Sequence, residues 1–120
     1  MVATVPIDVS DLGEYAGRLH DAGLAYPEVT RFIAWYELER GGPATRRAAT
    51  AAAMRDKADA IAGAQRRGVV SDRYPAAEML ALVLALANMW QQQSGDYLDL
   101  VPAARRRALI VDAVRQLTAP

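Results

Sequence analysis

Cysteine is absent from this 120-residue chain. That removes disulfide scaffolds, thiolate metal sites and cysteine nucleophiles together. The single histidine, His20, excludes a multi-histidine metal site and a pair of imidazole acid–base groups. An excess of one charge is missing too, because 14 basic residues balance 14 acidic ones. Nucleic-acid-binding domains usually carry a basic excess or stripe, and the chain as a whole has none. No apolar run is long enough to span a bilayer. The longest, residues 76–90, is interrupted by Glu78 and Asn88 and falls short of the roughly 20 residues needed. The N-terminus lacks the basic start and apolar stretch of a signal peptide. From these absences we expect a cytoplasmic protein with no metal, no cofactor and no membrane partner.

What remains is an apolar, helix-forming composition. The hydrophobic fraction is 52%, enough for a packed core in a chain of one-domain size. Alanine occurs 25 times and has the best intrinsic helix propensity. Thirteen of the fourteen basic residues are arginine, and Lys57 is the single lysine. Proline and glycine divide the chain into five predicted helices with no convincing strand. Residues 1–7 read as a linker or frayed start, and residues 8–120 as one domain. Asp8, Ser10 or Asp11 caps the first helix, and Asp11 with Glu14 has capping-box spacing. Leu12, Tyr15, Ala16 and Leu19 recur at the period of one buried helical face. Gly13, Gly17 and Gly23 weaken that helix but permit close approach of a neighbour. The second helix covers residues 27–40. The third covers residues 44–67 and stops at Gly68, after which Val69 and Val70 plug into the core. The fourth, residues 75–93, is apolar on every side, so it is covered on every side by its own chain or by another. The fifth runs from Pro102 to about Leu117.

Few residues combine into a site of chemistry. His20 and Asp21 are adjacent on a helix and do not face each other. Glu37 and Glu39 point to different sides, which suits an ion pair better than an acid–base pair. Gly41-Gly42-Pro43 lacks the lysine and strand of a phosphate loop, and no serine sits at a nucleophile elbow. Arg105, Arg106 and Arg107 stand at a helix N-terminus, where the dipole disfavours them. They are either held by acidic side chains such as Asp96 or Asp99, or solvated. Tyr15, Tyr26, Phe32, Trp35, Tyr36, Tyr74, Trp90 and Tyr97 either pack a core or line a small-molecule pocket, with Met54, Met79 and Met89 as adaptable neighbours.

Four segments, in order, carry a resemblance: DLGEYAGRL at 11–19, PEVTRFIAWYELER at 27–40, AGAQRRGVV at 62–70 and AEMLALVLALANMW at 77–90. Together they resemble the C-terminal half of TetR-family (tetracycline-repressor-like) transcriptional regulators, over residues 8–118. The resemblance implies an all-α, five-helix bundle that binds a small-molecule effector and performs no chemistry. It implies a homodimer in which the last two helices of each subunit form a four-helix bundle, and DNA contact only through a helix-turn-helix domain that these residues do not include. Tyr15, Leu19, Trp35, Tyr36, Met54, Met89 and Trp90 are the implied ligand-binding residues, for an apolar or aromatic effector. Met79, Leu80, Val83, Leu84, Ala87, Ile110, Val114 and Leu117 are the implied dimer interface. Two alternatives stay open: a stand-alone helical homodimer without ligand, and a small helical enzyme, which the missing nucleophiles and acid–base pairs disfavour.

Overall fold

The computed structural model describes residues 5–25, 44–92 and 99–120. Among them are four helices and no strand: α1 (Leu12–Ala25), α2 (Ala44–Arg66), α3 (Ala76–Gln92) and α4 (Ala103–Thr118). The predicted second helix, residues 27–40, lies outside the described residues. The other four predicted helices agree with the observed ones to within a residue or two at most ends.

Local chemistry sets most of these ends. The Asp11 carboxylate accepts the Glu14 amide at 3.1 Å, which satisfies one of the unpaired donors of the first turn of α1. Gly68 closes α2 in the left-handed region at φ 74°. Its amide donates to the Gln65 carbonyl, and the Val69 amide donates to the Ala64 carbonyl. These two bonds make a Schellman motif, whose positive φ favours glycine. The chain then extends. Val70 enters the core at 3% exposure while Val69 remains 42% exposed, so only one of the two valines acts as the plug. Gln65 holds this connection from the side, donating to the carbonyls of Ser71 and Tyr74 at 3.1 and 2.8 Å. Ser71 donates its amide to the Thr118 carbonyl at 2.9 Å and so ties the loop to the end of α4.

Helix α3 is the central element, in contact with α1, α2 and α4. Its Met79, Val83 and Ala87 are fully buried, as are Tyr15 and Ala16 of α1, Ile61 and Ala64 of α2, and Ile110 and Val114 of α4. The α1–α4 seam is tight because α1 carries glycine there. A Cβ on Gly13 would stand 2.7 Å from the Val111 carbonyl oxygen, and one on Gly17 would stand 2.9 Å from a Val111 methyl. Ahead of α1, Val5, Ile7 and Val9 are half-buried against the same core. Val5 and Ile7, which the sequence reads as linker, therefore pack on the core while Pro6 stays exposed.

The seam also holds one arginine of the triplet. Arg107 pairs with Asp21 at 2.9 Å and Glu14 at 3.0 Å, and Arg115 pairs with Asp11 at 2.8 Å. The acids that hold Arg107 thus come from α1, and Asp96 lies outside the described residues. No helix of the described residues is long and apolar enough to cross a membrane.

Candidate ligand site

Tyr15 and Leu19 lie one turn apart on α1 and join Trp90 of α3 in one core cluster, with exposures of 0%, 3% and 7%. Met54 of α2 and Met89 of α3 are half-buried and pack against that cluster. Trp35 and Tyr36 lie outside the described residues. A cleft of about 310 Å³ also opens where the start of α1 meets the end of α4, lined by Val9, Leu12, Val70, Arg115 and Thr118 among others. None of the expected ligand-binding residues lines it.

The interior is less apolar than its composition suggests. Among the described residues the Tyr15 hydroxyl, His20 Nδ1, Trp90 Nε1 and Gln91 Nε2 are buried without a hydrogen-bond partner. Native interiors rarely leave such groups unpaired, and each one costs about 1–3 kcal/mol. Two cations adjoin them. The Lys57 ammonium stands 5.4 Å from the centroid of the Tyr15 ring, and the Arg106 guanidinium stands 5.4 Å from that of Trp90. Arg106 also donates to the Val101 carbonyl at 3.0 Å, and Lys57 to the Val5 carbonyl at 3.2 Å.

Burial shifts each titratable group here toward its neutral form. It raises the Tyr15 phenol above 10.0 and lowers the Lys57 ammonium below 10.5. It also lowers the His20 imidazole below 6.5, opposed by Asp21 and reinforced by Arg107 and Arg106. Among the described residues no three histidine or acidic side chains converge to hold a metal ion.

His20, Lys57 and Gln91 were not among the residues expected at the site, yet their phases were readable. His20 follows Ala16 by four residues on the buried face of α1. Lys57 stands three residues beyond Met54 and four before Ile61. Gln91 faces Gly23, where any Cβ would run into its amide.

The expected dimer residues fall mostly in the interior of the single protomer. Met79, Leu80, Val83, Ala87, Ile110 and Val114 are at most 5% exposed in the single protomer. Side chains already covered by their own chain have no surface to offer a second one. Leu84 and Leu117 are half-buried. The apolar side chains left at the surface of α3 and α4 include Leu82 and Leu109, 38% and 39% exposed. Ala81 and Ala85 of α3 and Ala108 of α4 are exposed beside them.

What the geometry describes is a helical domain with an interior of unpaired hydrogen-bonding groups. The chain belongs to the family described as "Tetracyclin repressor-like, C-terminal domain", whose model matches residues 11–116. The chain is 33% identical over 89 residues to the HTH-type transcriptional repressor SCO4008 of Streptomyces coelicolor, a match that covers 73% of this chain and 46% of that protein. Its fold is similar to the crystal structure of SCO4942 from Streptomyces coelicolor, described as a transcriptional regulator. The TM-score is 0.80 at 29% identity, over 95% of this chain and 63% of that one. The chain therefore spans about half of the repressor and under two thirds of the structural relative.

Proposed function

We propose that the chain is the effector-sensing and dimerisation domain of a TetR-type transcriptional regulator. It binds a small apolar or aromatic molecule and, as a homodimer, transmits that binding to a helix-turn-helix domain that contacts DNA. Coupling of this kind requires the effector to bind the two conformational states with different affinity. The observation that carries the reading is the set of buried, unpartnered polar atoms on Tyr15, His20, Trp90 and Gln91, in a domain of a regulator family. Ligand sites are mostly apolar, with a few polar groups that fix orientation. The rival reading, a homodimer without ligand, leaves those atoms unexplained.

The exposed Leu82 of α3 and Leu109 of α4 support the dimer, since a two-fold interface is self-complementary. Light scattering coupled to size exclusion tests it. We expect a particle of twice the 13.0 kDa chain mass. Leu82→Arg together with Leu109→Arg should give a folded monomer, because an unpaired charge in a buried interface costs several kcal/mol, about 3–5. A dimer that survives both substitutions refutes this interface.

A further inference from the structure

The polar atoms left open in the interior share one chemical character. The Trp90 indole nitrogen and the Gln91 amide nitrogen are donors only, and the Tyr15 hydroxyl donates as readily as it accepts. The His20 Nδ1 serves either role. Among the described side chains of α2 the one buried cation is Lys57, 8% exposed. It directs one of its three donors to the Val5 carbonyl and lies against the Tyr15 ring. Among the described residues no carboxylate stands within ion-pairing distance of it, and its sequence neighbours Asp56 and Asp59 are exposed. A buried ammonium is ordinarily paired with an anion, because desolvation of an uncompensated charge is costly. Among the described residues that anion is missing, and the hydroxyl of the same Tyr15 ring has no hydrogen-bond partner.

We propose that the effector carries a carboxylate on an apolar skeleton, and that Lys57 and Tyr15 read that carboxylate. The proposal rests on the ligand-sensing reading and narrows it from an apolar molecule to an amphiphilic acid. The Lys57 ammonium supplies the charge and the Tyr15 hydroxyl a donated hydrogen bond. Both are charge-assisted contacts to the same group, which are stronger than neutral ones. The remaining donors, Trp90 and Gln91, favour further acceptor atoms on the same molecule.

The test uses two matched series on the 120-residue chain: aryl carboxylates with their aryl methanols, and C6–C12 alkanoates with the corresponding alkanols. Isothermal titration calorimetry measures each pair at neutral pH. We expect at least one acid to bind about tenfold more tightly than its alcohol, the size of effect a charge-assisted contact gives. Lys57→Gln should remove that preference and leave alcohol binding within about twofold. Tyr15→Phe, which keeps the ring, should reduce it in part. Circular dichroism and light scattering on each variant show whether fold and oligomeric state persist. Should Lys57→Gln fail to fold, Tyr15→Phe carries the test alone. Alcohols that bind as tightly as acids, or an acid preference that neither substitution moves, overturn the proposal and leave the ligand-sensing reading intact. Binding by no member of either series overturns that reading, and the proposal with it.

Discussion

Removing a single oxygen, by Tyr15→Phe, separates two accounts of the buried hydroxyl. In the first it is unpaired in the ligand-free chain and waits for an acceptor. Its removal then relieves a desolvation penalty of about 1–3 kcal/mol. The ring stays, so its packing and its contact with the Lys57 ammonium are retained. The void left behind is on the order of 10 Å³, which at about 24 cal/mol per Å³ costs a few tenths of a kcal/mol. The net expectation is a gain of about 1–2 kcal/mol. At about 4 °C per kcal/mol for a domain of this size, that raises Tm by roughly 4–8 °C.

Urea and thermal melts at one fixed protein concentration make the measurement, because a dimer's Tm depends on concentration. In the second account the hydroxyl is held by a buried water, and Tyr15→Phe lowers stability by about 1 kcal/mol. A loss of that size refutes the argument that an open donor is kept for a ligand. The same variant should bind the acid probe more weakly, so the two readouts move in opposite directions. That pattern, stability gained and function lost, is expected where a strained or unsatisfied site is kept for its use.

Two further outcomes test the packing and the buried histidine. Gly13→Ala should destabilise the chain by about 1–2 kcal/mol, since overpacking against the Val111 carbonyl outweighs a propensity gain of at most about 1 kcal/mol. Gly17→Ala, whose new methyl meets side-chain atoms of Arg107 and Val111, should cost less. A Gly13→Ala variant as stable as the parent in urea melts would refute the tight α1–α4 seam. For His20 the folded-state pKa lies below the unfolded value of 6.5, so the native state binds fewer protons. Its contribution to stability is complete above pH 6.5 and is lost as pH falls from there through the lower native value. His20→Gln should flatten urea midpoints across that window, and an unchanged pH dependence would refute the burial argument. Asp11, also lowered, titrates from 3.8 downward and so does not overlap it.

Much of this fold was legible because its signals are local. Asp11 three residues before Glu14, glycine at 68 and proline at 75 and 102 set helix ends through backbone chemistry that acts within a few residues. Gly13 and Gly17 marked the close seam for the same reason, since a missing Cβ has one obvious use. The site was half legible. Tyr15, Leu19, Met54, Met89 and Trp90 fell on apolar phases and do join or flank the core. His20 offers no acid–base pair with Asp21 in the sequence, and Lys57 stands out there only as the single lysine. The three-dimensional packing shows both buried, His20 with Nδ1 unpartnered and Lys57 bonded to the Val5 carbonyl but, among the described residues, to no carboxylate.

The interface is harder to read from the sequence than the helix ends are. Helix α3 is apolar all round, so hydrophobicity alone cannot tell the face turned to its own chain from the face turned outward. Charge can. Glu78 shares its helical face with Ala81, Leu82 and Ala85, at spacings of three, four and seven. Asp112 shares one with Leu109, Ala108, Arg105 and Gln116. All of these are exposed. No charged side chain stands in the opposite stripe of Met79, Leu80, Val83 and Ala87, which is buried. A homodimer face must remain soluble until the partner arrives and tolerates a charge at its rim, whereas the protomer core tolerates none without a counter-ion. In a helix greasy on both sides, the stripe that admits one carboxylate is therefore the outward one, and Leu82, not Leu80, is where a charge should break the dimer without unfolding the chain.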